Sequence, residues 1–226
     1  MSRISKRMKK TYEPIKKDKI YTLDEALNHL EAAPKVKFDE TVELHFHLSI
    51  DTKASDQAVR GTVSLPHGLG KDVKVAVFCK GEMEKKAQAA GADHIGHEDL
   101  IKKVAGGFLD FDVVIASPDM MRDISKLGKV LGPRGLMPTP KAGTVTTDIE
   151  KAIKEVKAGK IEFKSDKQAG IHVGVGKRSF DKQKIRENIN HIIEAINHAK
   201  PSSVKGSLIR GLSLSSSMGP GLKVML

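Results

Sequence analysis

The chain has 226 residues, with 39 lysines and arginines against 28 aspartates and glutamates, and a formal net charge of +11. This length allows one large or two small domains, and the excess of cations favours a polyanionic partner such as nucleic acid over an acidic small molecule. The single cysteine, Cys79, excludes an intrachain disulfide and a cysteine-based zinc site, and the 4% aromatic content argues against recognition of single strands by stacking.

The amino terminus is basic, with eight cations against two acids in the first twenty residues. It leads into no apolar segment of signal-peptide length, and no run approaches the roughly 18 apolar residues of a membrane span. We therefore expect a soluble, cytoplasmic protein that does not bind membranes.

The first part of the chain predicts a helix followed by a strand. Thr22 to Glu25 has the pattern of a capping box, which opens a helix through Leu30. From Glu40 to Ile50 apolar and polar residues alternate, as in an antiparallel strand with one buried face. His45 and His47 lie on the opposite face. They could hold a metal ion with a third ligand, but an exposed polar strand face is the better interpretation, so we expect no metal site.

The middle of the chain predicts an α/β layer. Two short apolar runs are each followed by helical spacing, and a third helix starts at an aspartate cap and ends at a glycine. The predicted elements are strands over residues 73–79 and 112–116, and helices over residues 83–90, 120–127 and 148–158. Strands that alternate with helices favour a parallel, Rossmann-like sheet.

Nothing in this layer has the pattern of a nucleotide site. The sequence Gly68-Leu69-Gly70-Lys71 lacks the spacing of a phosphate loop, and Pro133 removes a donor that a dinucleotide fingerprint over residues 128–135 would need. No nucleophile and base can be recognised beside the aspartates, which we interpret as loop carboxylates: Asp110, Asp112 and Asp119. We therefore expect no cofactor and no enzymatic activity.

The segment over residues 128–140 contains three glycines, three prolines and two cations. Proline fixes φ and removes an N–H donor, while glycine reaches backbone conformations closed to other residues. The composition therefore predicts a rigid, shaped loop and not an ordinary helix, strand or solvated linker.

The last part of the chain is strongly basic, with 12 cations against five acids over residues 160–226. Its pattern predicts a hairpin of strands 160–164 and 170–175. A long amphipathic helix over residues 181–199 and a final strand over residues 208–214 follow. Both ends are then α+β and the middle is α/β. The simplest architecture is a discontinuous α+β domain, residues 1–67 and 160–226, with an α/β domain over residues 68–159 inserted into it. Small residues near 66–68 and 158–160 would form a hinge.

Three elements of the flanks could contact a nucleic acid, although each also has an ordinary structural interpretation. Residues 35–41 combine two lysines with a phenylalanine that could belong to the core. Residues 164–172 form a charged turn that could simply be solvated. Residues 214–221 place hydroxyls before a kinked turn of small residues, which on composition is a plain loop.

Five motifs in order along the chain resemble the universal large-subunit ribosomal protein L-one family, whose members belong to the mobile ribosomal stalk. They are Lys-Phe-Asp-Glu-Thr-Val-Glu at 37–43, Val-Arg-Gly-Thr-Val at 59–63, Leu-Pro-His-Gly at 65–68, the segment 128–140 and Ser-Met-Gly-Pro at 217–220. The resemblance covers essentially the whole chain. It implies the two-domain architecture, with rRNA bound by the discontinuous domain.

The resemblance also implies the residues that contact RNA, namely Lys37, Phe38, Thr41, Lys167, Gly170, His172, Ser215, Ser217, Met218 and Gly219. Hydroxyls and exposed backbone can pair with ribose and phosphate oxygens, glycines permit close approach, and Phe38 and Met218 can pack against sugars or bases. One departure is Ser217, where the family commonly has threonine. The implied partners are stalk rRNA, exit-site tRNA and the protein's own operon mRNA, whose translation it would repress, and the free protein would be monomeric.

Two other classes of function stay open from the residues alone. A nucleotide-dependent enzyme built on residues 68–159 would bind nucleotide through that fragment. A general DNA-binding protein would bind duplex DNA as well as structured RNA.

Overall fold

The computed structural model describes residues 5–16 and 19–225, which form two compact units. The first takes Met1–Gly70 and Glu162–Leu226, and the second takes Lys71–Ile161. The fold mixes helices with several separate sheets, as the sequence predicts. The division into a discontinuous domain over residues 1–67 and 160–226 and an inserted domain over residues 68–159 stays a prediction. Among the described residues, no helix combines the length and the apolar character that crossing a membrane would need.

The helices and strands are, in chain order, α1 (Lys6–Tyr12), α2 (Leu23–Ala32), β1 (Thr41–Leu48), β2 (Arg60–Ser64), β3 (Val75–Phe78), α3 (Glu82–Ala89), β4 (His94–Gly96), α4 (Glu98–Ala105), β5 (Val113–Ala116), α5 (Met121–Ile124), α6 (Gly128–Leu131), α7 (Ile149–Lys157), β6 (Lys160–Lys164), β7 (Gly170–Lys177), α8 (Lys182–His198), β8 (Ile209–Ser216) and β9 (Leu222–Val224). Short 3-10 turns occupy Ser55–Gln57, Pro118–Met120, Ser125–Leu127 and Pro140–Ala142.

The first unit is built on an antiparallel sheet in the order β7-β1-β8-β9. Every second residue of β1 is buried, so the apolar face of the sheet lies against α2 and α8 and the other face is open. The capping box of α2 is present, because Thr22 accepts from Glu25 N and the Glu25 carboxylate accepts from Thr22 N.

Helix α8 confirms the long amphipathic helix of the sequence analysis. It begins after Asp181, whose side chain accepts from the amide of Gln183, and its apolar stripe is buried at Ile185, Ile189, Ile192 and Ile196. Each fully buried isoleucine favours folding by about 1.5–3 kcal/mol relative to an exposed one. The stripe therefore fixes which face of α8 covers the sheet.

The predicted hairpin over residues 160–175 is wrong. Both strands exist, but β6 pairs with β2 in a separate two-stranded sheet and β7 pairs with β1. Close contact between Gly61 and Phe163 accompanies the first pairing, since a Cβ at Gly61 would lie 2.7 Å from the Phe163 ring. Local spacing predicted the strands correctly, but partners distant in sequence decided the pairing.

The second unit contains a parallel sheet in the order β4-β3-β5. Helices α3 and α7 pack on one face and α4, α5 and α6 on the other, and all four residues of β3 are buried. This confirms the α/β layer. Strand β4 and helix α4 were not predicted, and β4 has only three residues at the edge of the sheet.

The segment 128–140 is partly helical, contrary to the prediction of a loop throughout. Gly128–Leu131 form the short helix α6, and Leu131 lies in the core of the second unit. A Cβ at Gly132 would lie 2.5 Å from the Gly128 carbonyl oxygen, so the helix ends on a residue with no room for a side chain. The remainder turns through Gly135, whose φ is +71°.

Candidate nucleic-acid interface

The open face of the four-stranded sheet carries small and polar side chains along β1. Strand register places Glu43 opposite Ser215, His45 opposite His172, and His47 opposite Gly170. The turn after β8 lies next to Thr41, at the start of β1. Five of the residues implied by the resemblance are thereby brought together along this face, namely Thr41, Gly170, His172, Ser215 and Ser217, of which Gly170 is itself buried.

The Ser-Met-Gly turn is hydrogen-bonded to the first residue of β1. The amide of Ser217 donates to the Thr41 carbonyl at 3.0 Å, and the amide of Thr41 donates to Ser217 Oγ at 3.0 Å. The Ser217 hydroxyl also lies 3.3 Å from the Thr41 carbonyl oxygen. Serine supplies all of these bonds, so the hydroxyl that it shares with threonine holds the turn in place.

Gly219 leaves no room for a side chain. A Cβ there would lie 2.4 Å from Ser216 Oγ, well inside contact distance. The amide of Gly219 also donates to the Ser216 carbonyl at 2.9 Å. The glycine predicted to permit approach of RNA therefore first permits the turn itself.

A buried carboxylate, Glu40, lies beneath this turn. Its Oε1 accepts from the Met218 amide at 3.0 Å and from Ser216 Oγ at 3.1 Å, and its Oε2 lies 2.5 Å from Nη1 of Arg178. Burial alone would raise the pKa of Glu40, but the hydrogen bonds from Arg178, Ser216 and Met218 outweigh it and hold that pKa below its ordinary value.

Glu40 was not predicted as part of the site, although one signal was available. Glu40 lies two residues before Val42 and so falls on the inward side of the alternation that predicts β1. A carboxylate at an inward position is expected to have a buried cation as its partner. Arg178, which follows β7, is that cation.

Two other cations contact the turn or its neighbour and were also missed. Arg7 of α1 donates from Nη2 to the Met218 carbonyl at 2.7 Å, and Lys177 Nζ lies 3.0 Å from Thr41 Oγ1. Neither contact could be read from local spacing, because each joins residues far apart in the chain. They increase the positive charge around Met218.

Four other predicted residues are exposed: Lys37, Phe38 and Met218 lie near the Thr41 end of β1, and Lys167 lies beyond its His47 end. Phe38 and Met218 expose 55% and 49% of their surface, unusual values for large apolar side chains. Within residues 5–16 and 19–225, Lys37 and Lys167 form no hydrogen bond or ion pair, and both are exposed. These four side chains are therefore available to a partner.

A chain of polar contacts crosses the sheet in its middle. Nδ1 of His45 lies 2.9 Å from Nδ1 of His172, and Nε2 of His45 lies 2.8 Å from Ser215 Oγ. Nε2 of His172 lies 3.4 Å from Asp166 Oδ2. Burial and the neighbouring His172 lower the pKa of His45, whereas amides of Gly170 and Gln168 hold the pKa of Asp166 below its ordinary value.

The other groups weighed from the sequence are engaged elsewhere or stand alone. Lys71 pairs with Asp112 at 2.6 Å and Lys74 with Asp110 at 2.8 Å, and Asp119 is exposed. Among the residues that the structure describes, no group of three histidine, cysteine, aspartate or glutamate side chains could hold a metal ion. His45 faces His172 across the strands.

Comparison with known proteins gives one consistent result. The model of the ribosomal protein L1p/L10e family matches residues 28–220. The large ribosomal subunit protein uL1 of Protochlamydia amoebophila is 58% identical over 226 residues, covering 100% of this chain and 96% of its own. The proteins of the same name from Kosmotoga olearia and Thermosipho africanus are 50% and 52% identical, each covering 99% of this chain and 97% of their own.

Proposed function

Because the chain belongs to the ribosomal protein L1p/L10e family, we propose that it is a structural constituent of the large ribosomal subunit and binds folded stalk rRNA through its first unit. The observation that carries the proposal is the position of the Ser-Met-Gly turn. Glu40 and Thr41 hold it from within, and it exposes Met218 beside the outward face of β1. No enzymatic activity is proposed.

Shape and charge contribute differently to this binding. Lysines such as Lys37 and Lys167 attract phosphates and release the counterions condensed on the RNA, and this contribution weakens as the salt concentration rises. The Ser-Met-Gly turn and the hydroxyls along β1 offer backbone and side-chain groups at fixed positions, suited to ribose and base edges in a folded RNA. Selectivity for structured RNA over duplex DNA then depends on the turn.

Binding to a folded stalk-rRNA fragment and to duplex DNA of equal length, each at two salt concentrations, tests the proposal. We expect tight RNA-selective binding that Met218→Ala weakens at both concentrations. Met83→Ala is the control, since Met83 belongs to α3 of the second unit, which the proposed rRNA contact does not use. Equal and wholly salt-dependent affinity for both polymers would leave only a general basic protein and would contradict the proposal.

A second role, in the release of exit-site tRNA, is favoured by the segment 128–140. The side chains of Lys129 and Arg134 in this segment, and of Lys141 directly after it, are exposed and have no hydrogen-bond or ion-pair partner within the described part of the chain. Leu131 and Pro138 of the segment are buried. Fixed cations on an anchored segment suit an RNA backbone.

Neutralising these three cations by glutamine should slow the release of deacylated tRNA from ribosomes carrying the variant, with binding to stalk rRNA unchanged. Glutamine at Lys85, Lys86 and Lys103, exposed lysines of α3 and α4, is the control. Equal release rates for the two triple variants would exclude the segment from this role.

Repression of the protein's own operon mRNA would use the rRNA surface. Both RNAs should then compete for one site, and Met218→Ala should weaken both interactions in parallel. Simultaneous binding of rRNA and mRNA fragments to one protein molecule would contradict a shared surface.

A further inference from the structure

The contacts of His45 deepen the proposed RNA-binding function and rest on it. This side chain is not among the residues that the resemblance implies, yet it lies between two that are. It contacts His172 through Nδ1 and Ser215 through Nε2. The middle strand of the surface therefore connects a residue of β7 with a residue of β8.

The distances restrict where the protons can lie. Two imidazole Nδ1 atoms 2.9 Å apart must share one proton, because two lone pairs or two N–H groups would repel. His172 Nε2 lies near the Asp166 carboxylate, which only accepts, so the stable arrangement has a proton on that nitrogen.

When both histidines are neutral, these constraints fix the proton positions in the hydrogen bonds that join His172, His45 and Ser215. His172 has its proton on Nε2, so its Nδ1 accepts from Nδ1–H of His45. Nε2 of His45 is then unprotonated and accepts the proton of the Ser215 hydroxyl. The Ser215 hydroxyl therefore donates to His45 and cannot donate to RNA.

Uptake of one proton from solvent reverses the direction in which these hydrogen bonds donate. His172 becomes an imidazolium that donates to Asp166 from Nε2 and to His45 from Nδ1, and His45 now carries its single proton on Nε2. That N–H donates to Ser215 Oγ, and the hydroxyl turns its own proton outward. Both histidines line an open cavity of about 640 Å³, so solvent reaches them.

We propose that His45 is a positioning residue which couples protonation of His172 to the direction in which the Ser215 hydroxyl donates at the RNA surface. Acidic conditions add a positive charge and expose a donor on neighbouring strands, and both changes favour a phosphate or ribose oxygen. Mildly alkaline conditions remove both.

The charged and titratable groups around the pair come from several elements. They are Glu43 and His47 on β1, Asp166 before β7, Arg210 on β8 and Lys223 on β9. Within the described residues, the side chain of His47 has no hydrogen-bond partner.

RNA affinity measured from about pH 8 to about pH 5.5 tests the proposal with the full chain and the folded stalk-rRNA fragment. We expect affinity to rise by about three- to tenfold on acidification, the range expected for one additional hydrogen bond. Ser215→Ala should remove most of this rise although it removes no titratable group, and His45→Phe should do the same. His191→Gln is the matched control and should keep the wild-type profile, since His191 is an exposed histidine of α8, which packs on the opposite face of the sheet.

If His172 acts through its charge alone, Ser215→Ala keeps the full pH dependence, and that result overturns the proposal. A second measurement needs no RNA. Long-range proton–nitrogen NMR should show the proton of His45 on Nδ1 at high pH and on Nε2 at low pH, and one unchanged tautomer would also overturn it. Failure to bind RNA at any pH would instead contradict the proposed function, so the two failures are distinguishable.

Discussion

The amide nitrogen of Met218 lies 3.0 Å from Oε1 of Glu40, so a buried carboxylate holds the backbone of an exposed turn. The same carboxylate pairs with Arg178. Nη2 of Arg178 also donates to the carbonyls of Glu31, in the last turn of α2, and Ala33, directly after α2. The exposed turn and the segment after α2 are thereby joined through one ion pair.

Glu40→Gln should destabilise the protein by about 3 kcal/mol, because removing one partner leaves the other charge buried without compensation. Urea titration followed by circular dichroism measures the change. Asp24→Asn is the control: its partner Arg186 is 3.4 Å away and both side chains are largely exposed, so little change is expected. Equal effects of the two substitutions would show that the buried pair contributes no more than an exposed one.

The lowered pKa of Glu40 predicts a pH dependence of stability with a definite sign. Its pKa in the unfolded chain is near 4.5 and its folded pKa is lower. The ionised Glu40 therefore stabilises the folded state fully above its unfolded pKa, and this contribution is lost as the pH falls through the folded pKa. Between about pH 5 and pH 3, the free energy of unfolding should fall more steeply for the wild type than for Glu40→Gln. Parallel curves would contradict the pKa shift.

Gly219→Ala should weaken binding to stalk rRNA by roughly tenfold or more, the consequence of moving one well-placed group in an interface. The added Cβ would lie 2.4 Å from Ser216 Oγ and would displace that hydroxyl from Glu40. Gly221→Ala is the matched control, since a Cβ there meets nothing within 4 Å.

The double variant Gly219→Ala/Ser216→Ala checks the cause. It removes the oxygen that the new methyl group meets, so it should recover part of the affinity. No recovery, with the secondary structure intact, would show that the overlap with Ser216 Oγ alone does not explain the loss.

Local patterns predicted most helices and strands of this fold, and the reasons for the exceptions are physical. Alternation over residues 40–50 and isoleucine spacing in α8 both result from burial of one face. This pattern can be recognised within each segment alone. Pairing of β6 with β2 depends on partners that spacing cannot reveal. The three residues of β4 are too few to show a period.

The candidate site divides in the same way. Residues with an exposed contact role, such as Phe38 and Met218, came from the resemblance, and the structure places them at the surface. The residues that support the surface from within, such as Arg7, Arg178 and His45, act through contacts between distant segments. Only Glu40 carried a local signal, because its position in the alternation was inward.

Asn188 is a buried polar residue of α8 that satisfies three backbone groups. Its Oδ1 accepts from His67 N at 3.2 Å, and its Nδ2 donates to the carbonyls of Gly68 and Val175 at 3.1 and 2.8 Å. Asn188→Leu leaves these groups unpaired and should cost about 2 kcal/mol or more in unfolding free energy. Asn190→Leu, at an exposed position of the same helix, should change stability little.

The thiol of Cys79 should report unfolding of the second unit. Burial and the charge of Glu84 raise the pKa of Cys79 to about 11, and the side chain is completely buried. At pH 8 a thiol reagent should therefore label the native protein only through opening, and label the urea-unfolded chain at once. Rapid labelling of the native protein would contradict the buried position.

The same thiol can test whether the second unit folds as a domain of its own. Ile153 of α7 belongs to the core around Cys79, and Ile189 of α8 lies in the core of the first unit. Each Ile→Ala substitution should cost about 2–5 kcal/mol of local stability. If the units unfold independently, Ile153→Ala accelerates labelling strongly, whereas Ile189→Ala leaves the rate unchanged because opening of the second unit does not involve the mutated core. Equal acceleration by both substitutions would show that the two units unfold together and would contradict the inserted-domain architecture as a folding unit.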